Sequence, residues 1–188
     1  DPRSLSLQLR HGYIPSPYSI YKDIYKLGPG EYLKVNLNRL YKTPKKWWDF
    51  KTVIKKAKSV KKINSFEESV KSLDELMHET ISEQMYSDVP LGALLSGGID
   101  SSLIVSVMQS INPRMTKTFS LGFSEKNYDE SFYSRDIASY LKTDHNEIIL
   151  KPSDALEIIP NLAKIYDEPF GDSSQIPTTM ICKLARKH

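Results

Sequence analysis

Hydrophobic positions repeat with a helical spacing in the segment that follows residue 65. Ser65-Phe66-Glu67-Glu68 matches a capping box, in which the hydroxyl of Ser65 and the carboxylate of Glu68 each satisfy the other residue's backbone N–H. The pattern predicts a helix that begins at Ser65, ends before Pro90 and leaves His78 exposed. Six apolar residues at spacings of three and four form one face that we expect to pack in a core: Phe66, Val70, Leu73, Met77, Ile81 and Met85.

Short apolar runs alternate with amphipathic segments from residue 91 onward. The runs at 91–95, 116–123 and 145–150 are typical of buried strands. Helical patterns occupy the intervening and following segments, namely residues 101–110, 129–142, 153–166 and 174–188. This alternation predicts an α/β fold with a parallel sheet, right-handed crossovers and helices on both faces. Cys182 lies in the last helical pattern, where we expect a buried thiol without a catalytic role.

Residues 31–37 alternate apolar and polar side chains with a period of two, which is typical of strands. Residues 23–27 and 31–37 are predicted strands joined by a turn at Gly28-Pro29-Gly30, and Asn38-Arg39 offers a second reversal before residues 40–41. Two short antiparallel hairpins are too little to fold alone, so we expect the tail of a larger domain. The predicted boundaries are 1–45 for this tail, 46–64 for a linker and 65–188 for the sheet domain.

Composition and charge narrow the class of protein. The 188 residues are 39% hydrophobic and 26% charged, as in soluble globular proteins, and the net charge is +3. Lys42 to Lys62 holds nine lysines and one carboxylate, Asp49, which favours a solvated linker over a nucleic-acid surface. The single cysteine excludes an internal disulfide. Without an apolar run of about 20 residues or a signal segment, we expect a cytoplasmic protein with no membrane partner and no nucleic-acid partner.

A glycine-rich turn lies where a predicted strand gives way to a helix, at Ser96 to Ser102. Gly97 and Gly98 lack Cβ atoms, so the backbone can take left-handed angles and direct its N–H groups toward one point. Ser96, Ser101 and Ser102 add hydroxyl donors, and the helix that follows adds the positive end of its dipole. The pattern predicts a phosphate-binding loop; the alternative is a plain Gly-Gly turn capped by Asp100 or Ser101.

Asp100 is unusual in a phosphate-binding loop because its carboxylate repels a bare phosphate. A Mg²⁺ ion that bridges the carboxylate and the phosphate oxygens removes this conflict, so Asp100 is the predicted metal ligand and catalytic residue. Neither the Walker pattern nor the dinucleotide fingerprint occurs in the sequence. The loop therefore indicates a different class of nucleotide site.

The stretch from Leu94 to Ser102 resembles the N-type ATP pyrophosphatases, the adenine nucleotide alpha hydrolase-like enzymes that release pyrophosphate from ATP. Flanking segments are similar to the glutamine-dependent asparagine synthetases in particular. Gly12-Tyr13-Ile14-Pro15 and residues 24–30 look like the end of that family's glutaminase domain, which is of the Ntn type. Residues resembling the synthetase domain follow in the family's order: 118–123, Asp129-Glu130, His145-Asn146-Glu147, 166–174 and Pro177.

The resemblance implies an ATP-dependent carbon–nitrogen ligase that adenylates the side-chain carboxylate of aspartate and amidates it with ammonia from glutamine. The implied cofactors are ATP and Mg²⁺, and the implied partners are aspartate, glutamine and the rest of the chain's own glutaminase domain. A homodimer is left open. The residues implied to bind the nucleotide are Leu94, Ser96, Gly97, Gly98, Asp100, Ser101, Ser102 and Leu121, with the backbone around Leu94 and Leu121 framing the adenosine.

Two family elements are not found in the sequence, the amino-terminal cysteine nucleophile and the second ATP loop, so we expect this stretch of chain to be inactive alone. Where some members carry T-T-x-R, this chain has Glu168-Pro169-Phe170-Gly171-Asp172. A related amidotransferase acting on a sugar acid or another carboxylate, and a degenerate nucleotide-binding module, are therefore kept as alternatives. Asp167, Glu168 and Asp172 are open between metal or substrate contacts and surface positions, and His145 is predicted to begin a strand rather than act as a base.

Overall fold

The computed structural model of the chain describes residues 1–36, 43–60, 63, 65–125, 129 and 131–188. The chain divides into two compact units. Asp1–Lys62 and Leu162–Asp172 form the first, called the amino-terminal unit below. Ile63–Asn161 and Ser173–His188 form the second, called the sheet unit. The domain boundaries expected from the sequence stay a prediction.

The amino-terminal unit holds short elements that begin at recognisable caps. The side chain of Asp1 accepts a hydrogen bond from the backbone N–H of Arg3 and begins the first helix, while Asp49 accepts one from Thr52 and begins the second. The two strands pair antiparallel, with Glu31 opposite Lys46. The elements are α1 Pro2–His11, β1 Glu31–Tyr32, β2 Lys45–Lys46, α2 Phe50–Ala57 and α7 Leu162–Ile165.

The strand expected at residues 23–27 is not formed. Asp23 has a φ of 60°, which interrupts an extended backbone, and the Lys26 N–H donates to the Pro17 carbonyl oxygen at 2.9 Å instead of a strand partner. The second reversal expected at residues 38–41 lies outside the described residues, as does Leu37. In the lysine-rich segment, α2 forms with none of its residues buried, so its lysines are solvated as expected.

The sheet unit is built on three parallel strands in the order in which they occur along the chain. β4 lies in the middle, pairing with β3 on one side and β5 on the other. Leu95, Val105 and Ala138 are buried together and form the centre of the core, with Ala93 and Ile137 packed against them. The strands are β3 Gly92–Leu94, β4 Lys117–Phe123 and β5 Asp144–Leu150.

Helices cover both faces of this sheet. Thr118 and Gly122 point toward α5, since Ser131 of that helix would touch a Cβ placed on Gly122. Phe119 points to the opposite face, where its ring lies 6.2 Å from that of His188 at the end of α8. The α/β class with a parallel sheet, helices on both faces and a small antiparallel pair is confirmed. The helices are α3 Phe66–Gln84, α4 Ile99–Ile111, α5 Ser131–Leu141, α6 Pro152–Ile158 and α8 Gln175–Lys187.

The helix expected at residues 153–166 is divided. It breaks at a 3₁₀ turn, Ile159–Asn161, because Pro160 lacks a backbone N–H and its ring clashes with the preceding helical turn. Cys182 lies in α8 as predicted but is exposed, whereas Thr179 is the buried residue of that helix. No helix in the described ranges is long and apolar enough to cross a membrane.

The apolar face expected to pack along α3 is only partly covered. At the start of α3, Ser65 Oγ accepts a hydrogen bond from the Glu68 N–H at 3.4 Å, as the predicted cap requires. The same hydroxyl donates to a carboxylate oxygen of Glu67. Met77, Ile81 and Met85 are half-buried, whereas Phe66, Val70 and Leu73 remain 78%, 50% and 56% exposed. His78, predicted to be exposed, is half-buried and lies 3.3 Å from the hydroxyl of Ser110 in α4. The covered part of the apolar face is therefore the carboxyl-terminal half of α3, where His78 contacts α4.

Candidate nucleotide site

The loop between β3 and α4 takes its shape from one glycine. Leu95 continues the strand by donating its N–H to the Phe119 carbonyl oxygen at 2.8 Å. Gly97 then has a φ of +81°, a conformation that L side chains rarely adopt. Gly98, which begins α4, has a φ of −74° and a ψ of 161°. The left-handed turn predicted for both glycines is thus made by Gly97 alone, because one such residue is sufficient to reverse the chain.

A close approach of α5 further constrains Gly97. A Cβ atom on Gly97 would lie 2.7 Å from the Cβ of Tyr133 and 2.9 Å from the backbone nitrogen of Ser134. The corresponding atom on Gly98 would meet only the Ser96 hydroxyl, at 3.4 Å. The loop is therefore held against α5 on one side, while Ser96 and Gly98 are exposed on the other.

The serine hydroxyls of the loop form one connected network. Ser96 Oγ lies 2.9 Å from Ser101 Oγ, and the Gly98 N–H donates to Ser96 Oγ at 3.4 Å. Ser102 Oγ donates to the Gly98 carbonyl oxygen at 2.6 Å. Hydroxyl groups rotate freely to suit a new acceptor, so these donors can turn to phosphate oxygens without movement of the backbone. The network joins four of the predicted residues, Ser96, Gly98, Ser101 and Ser102.

Asp100 lies in the first turn of α4, on the exposed side of the loop. Among the described residues no group of three or more His, Cys, Asp or Glu side chains could hold a metal ion. An all-protein cage is therefore not present in that part of the chain. One carboxylate beside a phosphate site fits Mg²⁺, which binds through one or two carboxylates, substrate phosphates and water.

A cavity of about 310 Å³ opens beside the loop, within the sheet unit. Ser96 belongs both to the loop and to the wall of the cavity. Leu94 and Leu121, which the family resemblance implies to frame an adenosine, also line the cavity. The volume lies at the low end of the range for small-molecule sites. Its remaining lining residues are Leu95, Phe123, Ser131, Ser134 and Ile181.

Four of those lining residues were not anticipated from the sequence. Phe123 follows Leu121 by two positions in β4, so the period of a strand could have indicated it. Ser131 and Ser134 are buried, and the hydroxyl of Ser134 donates to the carbonyl oxygen of Ser131 at 2.8 Å. Small polar residues one helical turn apart carry no distinctive signal. Ile181 comes from α8, some 60 residues away in the chain, and only the fold brings it here.

His145 is a structural residue of β5. Its ring nitrogens lie 2.9 Å from Thr118 Oγ1 and 3.1 Å from Ser120 Oγ, two side chains of the neighbouring strand. Burial lowers the pKa of His145 below its usual value of 6.5, although the nearby Glu147 carboxylate opposes this shift. The imidazole therefore bridges two strands, in agreement with the prediction that His145 lies at the start of a strand.

The carboxylates of residues 167–172 belong to the amino-terminal unit. Glu168 forms an ion pair with Lys26 and accepts a hydrogen bond from the Ile20 N–H at 2.7 Å. Asp167 and Asp172 are exposed. Glu168 is thus partnered within the amino-terminal unit, and the alternatives of a metal or substrate contact and a surface position at a helix end stay open for the three carboxylates.

Comparison with known proteins identifies the family of the chain. The sequence model of the family described as Asparagine synthase matches residues 72–188, which include the loop, Asp100 and every residue that lines the cavity. The chain belongs to the asparagine synthase family. The resemblance recognised in the sequence is confirmed.

Individual relatives extend the match to the amino-terminal unit. A protein of Methanocaldococcus jannaschii named putative asparagine synthetase [glutamine-hydrolyzing] 2 is 39% identical over 98% of this chain and 34% of its own length. Asparagine synthetase [glutamine-hydrolyzing] 1 of Bacillus subtilis is 29% identical over 100% of this chain and 28% of its own length. Amidase chry2 of Gibberella zeae is 29% identical over 67% of this chain and 20% of its own length. The chain thus spans about a third or less of the length of these relatives.

Proposed function

We propose that the full-length protein is a glutamine-hydrolysing asparagine synthetase, an ATP-dependent carbon–nitrogen ligase. The observation that supports this proposal most directly is that the cavity opens beside the loop, with Ser96 belonging to both. Ser96 lines both, so a nucleotide whose pyrophosphate lies in the loop has its adenosine directed toward Leu94 and Leu121. Asp100, at the start of α4, would hold the Mg²⁺ ion that accompanies the phosphates.

Hydrolysis of glutamine consumes one water molecule and yields glutamate and ammonia, and two further steps form the amide, with one proton of the attacking ammonia released to solvent. An oxygen of the aspartate side-chain carboxylate attacks the α-phosphorus of ATP, and the bond between the α-phosphorus and the bridging oxygen breaks to release pyrophosphate. Ammonia from glutamine then attacks the carbonyl carbon of β-aspartyl-AMP, and AMP leaves with the electron pair of the carbon–oxygen bond. The bound cation supplies charge compensation for the departing pyrophosphate.

The loop would contribute to the first step through backbone donors that are already in position and hydroxyl donors that need only rotate. The backbone N–H groups around Gly97 and Gly98, and the hydroxyls of Ser96, Ser101 and Ser102, would bind the phosphate oxygens. The positive end of the α4 dipole would favour the negative charge that gathers there. Donors that need no reorganisation during the reaction stabilise its transition state most effectively. We further propose that residues 1–45 complete a glutaminase domain whose remainder supplies the ammonia.

Pyrophosphate exchange tests the adenylation step. Full-length protein should incorporate labelled pyrophosphate into ATP only when aspartate and Mg²⁺ are present. Asp100→Asn should lower the exchange rate by about 100-fold or more, because the metal loses its charged protein ligand. Asp136→Asn is the matched control, since Asp136 is an exposed carboxylate on α5 and its loss should leave exchange unchanged. Exchange that needs no amino acid, or an Asp100→Asn variant with full activity, would contradict the proposal and favour a degenerate binding module.

A second function is favoured by two observations. Residues 168–172 replace the T-T-x-R pattern of some relatives, and the chain is similar to a protein named as an amidase. Amidation of a sugar acid or another carboxylate would use the same loop with a different acceptor. Incubating the purified full-length protein with ATP, glutamine and aspartate, and measuring asparagine directly, separates the two functions.

A further inference from the structure

Helix α2 of the amino-terminal unit carries an exposed apolar face. Phe50, Val53 and Ile54 are three and four positions apart, so their side chains lie on one side of the helix. These three residues are 60%, 42% and 40% exposed. The ring of Trp48 lies 6.0 Å from that of Phe50 and extends the apolar side beyond the start of the helix. These four residues are called the apolar face of α2 below.

The other side of α2 is basic. Four lysines lie there or at the end of the helix: Lys51, Lys55, Lys56 and Lys58. The helix contains no carboxylate, and no ion pair joins these lysines to an acidic residue in the described part of the chain. The carboxylate of Asp49, which caps the helix, pairs with Lys46 at 3.3 Å. The polar side of α2 therefore presents charge of one sign to solvent.

Backbone contacts fix the chain where it enters α2. The N–H groups of Trp47 and Trp48 both donate to the carbonyl oxygen of Gly30, at 3.0 and 3.3 Å. The carbonyl oxygen of Trp48 also approaches Gly30 so closely that it leaves no room for a Cβ atom there. Asp49 then begins the helix by accepting a hydrogen bond from the Thr52 N–H. The aromatic end of the apolar face is thus held against the turn before β1, within one compact unit.

The separation of apolar and basic sides favours the surface of an anionic membrane as the partner. An amphipathic helix with aromatic residues on one side and lysines on the other lies in the plane of the bilayer interface, with its apolar side among the acyl chains. Long lysine side chains reach from such a helix to the headgroups. A single-stranded nucleic acid would instead require aromatic and basic side chains on the same side, because bases stack where phosphates pair. Four lysines without a carboxylate complement the charge of anionic headgroups.

We propose that Trp48 and α2 form a peripheral membrane-binding element that docks the protein on anionic lipid headgroups. Eight residues make a helix about 12 Å long, which lies on a bilayer and does not cross it. Binding through one short helix is weak and reversible. The inference is independent of the nucleotide site, and it departs from the expectation of no membrane partner, which rested on the lack of a long apolar run.

The test is co-sedimentation of the full-length protein with lipid vesicles. We expect binding to vesicles of equimolar phosphatidylcholine and phosphatidylglycerol, and binding at least about tenfold weaker to phosphatidylcholine alone. Raising the salt concentration from about 0.1 M to about 1 M shortens the Debye length from about 10 Å to about 3 Å, so binding should weaken about tenfold or more. Anionic vesicles should also slow amide hydrogen exchange in residues 47–57, which locates the contact.

Two sets of variants separate the contributions of the apolar and basic sides. Phe50→Ser and Ile54→Ser each remove part of the apolar face and should weaken binding to anionic vesicles about fivefold or more. Lys55→Glu combined with Lys56→Glu reverses two charges and should weaken it about 25-fold or more, since each lysine near the surface contributes about fivefold. Circular dichroism should show that the variants keep the wild-type fold, because none of the residues of α2 is buried.

Matched controls come from outside α2. Lys71→Glu changes the same charge at an exposed position of α3, and Tyr86→Ser removes an aromatic ring that is 88% exposed. Both should bind anionic vesicles as the wild-type protein does.

Four results would overturn the proposal. The protein could remain in solution with both kinds of vesicle, or bind without a change in the hydrogen exchange of residues 47–57. The variants of α2 could bind as tightly as the controls. Loss of the fold in Phe50→Ser would show that the apolar face packs inside the full-length protein. Binding of a single-stranded oligonucleotide in place of vesicles, weakened in the lysine variant, would assign the basic side to nucleic acid.

Discussion

Replacing Gly97 with alanine tests the geometry of the loop without touching a polar group. The backbone at Gly97 has a φ of +81°, and an L residue placed there loses about 1–2 kcal/mol to steric strain. The new methyl group would also lie 2.7 Å from the Cβ of Tyr133 and 2.9 Å from the backbone nitrogen of Ser134. Both contacts are with atoms that no change of side-chain rotamer can move, the Cβ of Tyr133 and the backbone nitrogen of Ser134. Overpacking of this kind costs about 1–3 kcal/mol.

The expected loss for Gly97→Ala is therefore about 2–5 kcal/mol, a large part of the 5–15 kcal/mol that typically stabilises a domain. Gly98→Ala is the matched control, because Gly98 has an ordinary φ of −74° and a Cβ there meets only a hydroxyl, at 3.4 Å. Its effect should stay within about 1 kcal/mol. Because both variants replace glycine with alanine, a difference in their stability reports the backbone conformation and the space at each position.

Urea unfolding of the two full-length variants, followed by circular dichroism, provides the measurement. The unfolding midpoint of the sheet unit should fall far more for Gly97→Ala than for Gly98→Ala. Equal midpoints, or a larger loss for Gly98→Ala, would refute the assignment of the left-handed turn to Gly97. Such a result would also remove the argument that α5 constrains the loop.

Three further predictions concern stability. Burial lowers the pKa of His145, so the unfolded state binds the proton more readily than the folded state does. The free energy of unfolding should therefore fall as the pH drops from 7 through 6.5, the usual pKa of histidine. Urea unfolding of His145→Gln should show a smaller dependence of this free energy on pH. A hydrogen bond from the Ser131 side chain lowers the pKa of Asp129 below its usual value of 3.8. The contribution of the carboxylate to stability should therefore be present at pH 7 and decline as the pH falls below 3.8, so Asp129→Asn should destabilise the protein at pH 7 and progressively less in acid. Ser65→Ala should lower the free energy of unfolding by about 1 kcal/mol through loss of the cap of α3, whereas Ser69→Ala, inside the helix, should cost less than about 0.5 kcal/mol. An equal effect of the two serine substitutions would contradict the capping role.

The fold class and the loop could be predicted because their determinants are local. Strand, turn and helix follow one another between Gly92 and Ile111, and the apolar runs that mark the strands each lie within eight residues. Ser96 to Ser102 form a site by being contiguous, so no distant contact is needed to bring them together. The division of the helix after Pro152 was in principle legible too, because Pro160 interrupts it by a local mechanism.

Burial and pairing were less accessible because they depend on neighbours distant in the chain. The face of α3 has a clear period, yet Phe66 remains exposed and His78 contacts α4, since position along the helix decides which residues meet a partner. Residues 23–27 have a strand-like composition, but Asp23 turns the backbone and Lys26 bonds to Pro17. The composition of a segment permits more than one local structure, and the groups available for hydrogen bonding and packing decide which structure forms.

The sequence by itself determined the class of sheet, the position of the glycine-rich loop and the membership of the asparagine synthase family, because contiguous residues specify each of them. Only the tertiary structure decided that Ile181 closes the cavity and that Glu168 pairs with Lys26. Both depend on contacts between segments separated by more than 40 residues in the chain. Such pairs arise from the way helices and strands pack, and no short pattern in either segment encodes them.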